Sequence, residues 1–419
     1  MEIANGCLSR PSRKRKLLEE EGHEVLDFSL DDVNEALLER VLSWLPTSTL
    51  FRIGSVCKRW KSVAESESFK HACSRIPSRD PWFFMVESKL NRSVVFDSAE
   101  SWKGLNHPHS LLHNHNRDSI PVASSGGLVC FRNTSGGYIV CNPLTGSCRE
   151  LPPVDTDSQG HSLHAIAMNA YSNYHGSYKH FLVSGDLPKL AFKVYNSIDN
   201  CWEEEIILRR EADDHTESYL NDDDDHSNDD DDAFYFLSKA GNVVITNMQR
   251  SPSKQYSSVF TLRDGEEIVY FLGPSGTVIA CNLTRKCFSK YPRLLPLFSE
   301  YSIDVVECKG EMLVVVLSEF FESASLRVWR SDLKMKTWNQ IAAMPPAMSH
   351  ESYDKKLDIN CVGAGDQIFI SLSSAELCSY VLYDFATSRW VELPECWMNG
   401  ESLEFVSAFS FEPRIEASV

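Results

Sequence analysis

The chain of 419 residues lacks any long apolar run. Its longest, such as Met312–Leu317, fall far short of the roughly 20 residues that a bilayer-spanning helix needs. Its first residues carry no apolar signal region. No two of its 13 cysteines stand as Cys-x-x-Cys and the count is odd, which argues against zinc ribbons, dithiol redox motifs and a fully paired disulfide framework. Also missing are the phosphate-binding Gly-x-x-x-x-Gly-Lys loop, the Gly-x-Ser-x-Gly elbow and His-Glu-x-x-His, so no catalytic motif is indicated. Lys and Arg total 41 against 59 Asp and Glu, and no broad basic face is evident, which disfavours nucleic-acid binding. These absences point to a soluble intracellular protein. Cys130, Cys141, Cys281 and Cys361 lie inside apolar runs and read as small buried hydrophobes, as suits a reducing compartment.

The charge that is present is mostly local. Of the net −18, the segment Glu211–Asp232 contributes −12 through ten Asp and two Glu without a Lys or Arg, leaving −6 for the rest. It lacks the Asp-x-Asp-x-Asp-Gly order that wraps a calcium ion, so a disordered insertion over 211–233 is expected. Arg13-Lys14-Arg15-Lys16 sits in a leader spanning 1–29 and reads either as an import signal, placing the protein in the nucleus and/or cytoplasm, or as a solvated tail. His107, His109, His113 and His115 approach metal-ligand spacing, but without nearby Cys they read as a solvated loop. Neither metal nor cofactor is expected.

Two patterned regions remain. Between residues 30 and 75, Leu38, Val41, Leu42 and Leu45 form one stripe of an amphipathic helix that Pro46 ends. Thr47 or Ser48 is placed to cap a second helix carrying Leu50, Phe51 and Ile53, and Val56, Trp60 and Val63 share a face of a third. Three such helices bury little surface alone. They are either a cap on a larger domain or a docking module for another protein's helices.

Behind them one pattern recurs: an apolar strand ending in Asp or Asn, a tight turn, and an aromatic six residues after the anchor. The clear copies run Asn196 to Trp202, Asn282 to Phe288, Asp332 to Trp338 and Asp384 to Trp390. Looser ones run Asp97 to Trp102, one residue shorter, and Asn142 to Cys148, with cysteine for the aromatic. Anchor spacings of 45, 54, 86, 50 and 52 residues are those of four-stranded propeller blades, the long gap holding the acidic run. Six blades are favoured. A seventh stays open because Val243–Asn247 resembles a degenerate anchor strand. The copy starting at Trp82 lacks strands, and a C-terminal strand near Phe405–Phe411 is expected to complete it and close the ring. The repeated aromatics are expected to pack between blades.

Residue order sharpens both regions. Leu37-Leu38-Glu39-Arg40-Val41-Leu42-Ser43-Trp44-Leu45-Pro46, then Leu50-Phe51-Arg52 and Val56-Cys57-Lys58-Arg59-Trp60, closely resembles the F-box over residues 30–75, with Val33-Asn34 where that family opens on Leu-Pro. The resemblance implies docking onto Skp1 and thereby onto a cullin–RING ubiquitin ligase. It carries Val33, Leu38, Val41, Leu42, Leu45, Pro46, Leu50, Val56 and Trp60 over as the docking and module-core set. Trp60 is a plausible hot spot. Residues 80–413 resemble the kelch-type propeller of plant F-box proteins, with the double glycine surviving once at Gly126-Gly127, and 414–419 are left as a tail. Arg79–Met85 and Phe409–Glu416 resemble more narrowly the Hawaiian Skirt group of F-box/kelch proteins.

The resemblance implies a non-catalytic substrate-recognition subunit, ubiquitin transfer occurring on partner subunits. Irregular loops at Asn133–Gly137, Ser184–Lys189, Gly273–Gly276 and Glu319–Ser323 are then the candidates for target binding, with Asn133, Ser135, Ser184, Asp186, Pro274, Ser275, Phe320 and Glu322 named within them. The competing class is a propeller enzyme or small-molecule sensor, which requires polar groups converging on the central channel.

Overall fold

The computed structural model describes residues 33–419 apart from 88–91, 98–100, 106–118, 155–161, 171–176, 212–233, 238–242, 247–255, 274–275, 295–300, 321–322, 333–336, 350–351, 353–354, 356, 375–376 and 399. The basic leader, the four histidines and the body of the acidic run lie outside the described residues.

Six sheets, each built on four antiparallel strands, form a closed β-propeller. Blade 1 orders Phe405–Phe411, Trp82–Glu87, Ser93–Phe96 and Trp102–Leu105 from the axis outwards, so the C-terminal strand supplies the innermost position as expected. Blade 2 runs from Ile120–Ser125 to Cys148–Glu150, blade 3 from Leu163–Ala170 to Cys201–Trp202, and blade 4 from Ser258–Arg263 to Cys287–Lys290. Blade 5 runs from Tyr301–Cys308 to Thr337–Ala343, and blade 6 from Asp358–Ala364 to Arg389–Leu393. Innermost strands contact their neighbours all the way round, leaving no open inner edge. Val243–Thr246 is not a seventh blade: among the described residues it pairs only with Phe234–Leu237, in a separate hairpin. Glu211, placed in the insertion by sequence, belongs to the ring. Arg209–Arg210 adds in parallel to the outer strand of blade 4, and the Glu211 N–H donates to the Phe288 carbonyl at 2.9 Å.

The repeated pattern has a stereochemical cause. Five of the anchors cap the turn before the outer strand; the turn after the sixth, Asp332, lies outside the described residues. The Asn142 Oδ1 accepts from the Leu144 N–H, Asn196 from Ile198, Asn282 from Arg285, Asp384 from Thr387, and Asp97 from Ser101. Short polar side chains favour such turns because they bond their own backbone a few residues on. Four residues after the anchor the chain turns left-handed, at Gly146, Asn200, Lys286 and Ser388, with φ of 74°, 52°, 58° and 53°. Two residues later comes the packing residue.

That residue packs against the preceding blade. Six apolar clusters fill the six seams, and Trp102, Cys148, Trp202, Phe288, Trp338 and Trp390 each belong to or pack on one of them. At three alternate seams the indole N–H also donates across: Trp102 to the Pro394 carbonyl at 2.9 Å, Trp202 to Pro152 at 2.8 Å and Trp338 to Pro292 at 2.7 Å. Each acceptor proline closely follows the outer strand of the preceding blade. Buried aromatics with a satisfied polar handle are effective seam fillers, each such bond adding about 1 kcal/mol.

One expectation about cysteine fails. Cys141 is not a lone thiol: it faces Cys148 across adjacent strands of blade 2 and is joined to it as a disulfide. The repeat itself brings them together, since cysteine occupies the aromatic's position opposite the anchor strand. Cys130, Cys281 and Cys361 are buried and take no part in a disulfide, and burial raises the Cys130 and Cys281 thiols far above their ordinary value.

Candidate docking faces

The N-terminal module contains four helices, not three: α1 Glu35–Ser43, α2 Thr47–Ile53, α3 Lys58–Ala64 and α4 Glu67–Ser74. α4 was hidden because only Phe69 and Cys73 face inwards among polar residues, yet both are fully buried. Asn34 caps α1, its Oδ1 accepting from the Ala36 N–H at 2.9 Å, with Glu35 in the first turn and Arg40 in the last to complement the helix dipole. Neither Thr47 nor Ser48 caps α2. Pro46 holds that position without a side-chain bond, while the Thr47 hydroxyl donates to the Pro413 carbonyl at 2.8 Å.

The predicted docking set separates into two roles. Leu38, Leu42 and Leu50 are buried with Ile53, Val63, Phe69 and Cys73, and Val33, Leu45 and Trp60 pack partly buried on them. Burial pushes the Cys73 thiol up to about 11, so it stays protonated and acts as a hydrophobe. Val41 does not share the stripe of Leu38 and Leu42, and Val56 does not share the face of Trp60 and Val63. They are 54% and 60% exposed, and Pro46 is exposed too. Leu37, Trp44 and Phe51, absent from the predicted set, are 53%, 65% and 55% exposed. Leu37, Val41 and Trp44 fall within about 60° of one another around α1, a second apolar stripe beside the inward one. The signal was there in the i, i+4, i+7 spacing, but a helix with two adjacent apolar stripes reads from sequence as one broad core face.

The module lies on one face of the ring. In an antiparallel blade the turns joining first to second and third to fourth strands share one face, and those joining second to third strands share the other. On the module's side, Gly127 in the first turn of blade 2 underlies the Glu412 carbonyl and Arg414, and Gly365 in the first turn of blade 6 neighbours Pro81. A Cβ at Gly127 would stand 2.8 Å from that carbonyl, and its φ is 88°, so the surviving double glycine makes room for the chain's end.

The loops expected to bind a target are all second-to-third turns, in blades 2, 3, 4 and 5, and therefore share the opposite face. Within them, the Asn133 Oδ1 accepts from the Gly137 N–H at 2.7 Å and the Ser135 hydroxyl at 2.8 Å, bracing its own turn. Ser184 is half-buried and paired in the blade 3 ladder, whereas Asp186 is exposed, its Oδ1 accepting from Ser162 Oγ at 3.4 Å. Phe320 ends a strand of blade 5, and Pro274, Ser275 and Glu322 lie outside the described residues.

On the axis, a cavity of about 580 Å³ is lined by the inner strands of all six blades and by the linker Ser78–Pro81. Its walls are about as polar as they are apolar: small apolar residues alternate with serines such as Ser124, Ser258 and Ser410, and Glu307, Glu412, Arg79 and Asp80 also line it. Burial raises the Glu307 carboxyl above its ordinary value, and the carboxylate is engaged by its own turn through the Gly310 N–H at 2.6 Å. Among the described residues no group of three or more His, Cys, Asp or Glu is placed to hold a metal, and no helix is long and apolar enough to cross a membrane.

Residues 30–72 match the model of the F-box domain, and residues 96–348 match that of the KIB1-4 beta-propeller. F-box only protein 13 of Arabidopsis thaliana is 52% identical, the match covering 97% of this chain and 90% of the relative. The chain belongs to the plant F-box proteins that carry a KIB1-4 β-propeller. F-box only protein 6 of the same plant is 26% identical over 86% of this chain and 68% of its own length. An A. thaliana F-box/kelch-repeat protein is 36% identical over only 31% of this chain and 32% of its own. For the propeller the family shown is KIB1-4. Kelch repeats in the narrow sense are not shown, and the likeness to the Hawaiian Skirt group is not confirmed. The helices α1–α4 are thus an F-box.

Proposed function

We propose that this F-box protein is the substrate-recognition subunit of a Skp1–cullin–F-box ubiquitin ligase. Its F-box binds a Skp1-type adaptor, and the far face of its ring binds a protein target. The observation that carries this is the concentration of exposed large apolar side chains in the F-box: Leu37, Val41, Trp44, Phe51 and Val56 lie within 20 consecutive residues. Such a patch on an otherwise well-packed module is costly in water and is relieved by a partner. Leu38, Leu42 and Leu50 serve as the scaffold behind it, and Leu45 and Trp60 hold its edges. The target surface is the set of second-to-third turns in blades 2 to 5, facing away from the F-box. The chain itself performs no chemistry in this scheme. Its work is to hold two proteins at a fixed separation, in the nucleus or the cytoplasm.

The test is co-precipitation of a Skp1-type adaptor with the full chain and with Val41→Asp, which places a charge in the stripe without touching the core. Robust capture by the wild type and loss in the variant, with unchanged circular dichroism, is expected. No capture by the wild type contradicts the proposal.

A further inference from the structure

The last eight residues do not form a loose tail. Arg414 is buried, its side chain 9% exposed, and its guanidinium makes four bonds. It donates to the Ile76 carbonyl at 3.1 Å and the Pro77 carbonyl at 2.9 Å, where α4 hands over to the linker, and to Glu412 and Glu416 at 2.7 and 3.0 Å. Ile415 packs into the F-box core. On the ring side, the Asn142 amide of blade 2 donates to the Arg414 carbonyl at 3.0 Å and to the Ala417 carbonyl at 2.8 Å, and Ala417 and Val419 pack on the seam of blades 2 and 3. Glu412 also accepts from the Arg79 N–H at 2.7 Å, and the Arg79 guanidinium donates to the Ser43 and Leu45 carbonyls at the end of α1. Those carbonyls have no intrahelical partner, so their bonds fix the corner that presents Trp44. The Thr47 bond to Pro413 holds the start of the helix that carries Phe51.

We infer that Glu412–Val419 is an intramolecular clamp that sets the orientation of the F-box on the ring, with Arg414 as its positioning residue. The same strand that closes the propeller continues into the clamp, so the F-box is fixed in place only once Glu412–Ile415 is seated. A buried arginine with four bonds in a planar fork suits this role, because its geometry tolerates little rotation of the groups it joins. That the clamp thereby aims the apolar stripe at an adaptor rests on the function proposed above. The clamp itself does not.

The experiment uses the full chain with spin labels carried by non-canonical residues at Ser62 in α3 and Asp264 in the blade 4 turn, comparing wild type with Arg414→Met. One narrow distance is expected for the wild type and a distribution at least twice as broad for the variant. Hydrogen exchange should be at least tenfold faster in α1 and α4 and unchanged in the blade strands. Loss of stability alone would not broaden the distance between folded parts. Equal distributions and equal exchange overturn the clamp. Should Arg414→Met fail to fold, Thr47→Val removes a single bond between tail and module and decides by the same two measurements. Adaptor affinity of Trp44→Ala separates the two ideas. If it is unchanged, the docking proposal fails and the distance result still judges the clamp. If it is lost while Arg414→Met alters neither distance nor exchange, the clamp fails and docking stands.

Discussion

In the F-box, five large apolar side chains stand more than half exposed within 20 residues, whereas the described residues of the ring, several times longer, leave only Ile198, Ile207, Leu262 and Trp397 so exposed, and scattered. The ring places its repeated aromatics in seams, where each packs on the blade before it. The F-box packs one stripe and leaves the adjacent one outside. Exposure of this kind is informative because the same chain elsewhere buries such groups efficiently. The part that hides its apolar surface is a frame, and the part that displays it is the one to which the proposed function assigns a partner.

The largest expected break falls in the frame. Phe181→Ala empties the seam between blades 3 and 4, where Phe181 is 1% exposed, and should cost about 3–5 kcal/mol in chemical denaturation. Adaptor capture by the surviving folded protein should be unchanged. A loss of capture at constant fold would show that the two regions are not separate. Next comes Trp202→Phe, which keeps the ring but removes the donor to the Pro152 carbonyl, with an expected loss of about 1–2 kcal/mol.

A pH effect belongs to Asp97, the anchor of blade 1. Burial alone would raise its carboxyl, but hydrogen bonds from Lys103 and Ser101 outweigh that and hold it below the usual carboxylate range. A lowered folded value means the contribution to stability is present above the unfolded carboxylate pKa and fades as pH falls through the folded one. Asp97→Asn should therefore destabilise at pH 7 and lose its effect under acid, measured by denaturation at both pH values. A deficit independent of pH would contradict the assignment. The smallest effect is a gain. Ser388 sits at φ 53° in the blade 6 turn, so Ser388→Gly should stabilise by about 0.5–1 kcal/mol and leave docking untouched.

Much of the ring was legible because its cause is local. The Asx anchor, the left-handed residue and the seam aromatic sit within seven residues of one another, so one copy teaches the others. Closure by Phe405–Phe411 followed from counting strands. What stayed hidden depends on contacts distant in sequence. Pro152, Pro292 and Pro394 look like ordinary strand ends until an indole from the next blade reaches them. Arg414 looks like tail residue until Ile76, 338 positions away, is brought to it. The exposed stripe lies between these cases: the apolar residues of α1 were visible, but which of two neighbouring stripes turns inward depends on where α4 and the tail pack.

The central claim is that the exposed stripe of the F-box, and not exposed apolar surface in general, receives the adaptor. Carbene footprinting of the full chain with and without a Skp1-type adaptor tests it directly. Protection at Val41, Trp44 and Phe51, with Trp397 on the ring equally labelled in both samples, is the predicted result. Unchanged labelling at Trp44 and Phe51 in the presence of saturating adaptor would contradict it.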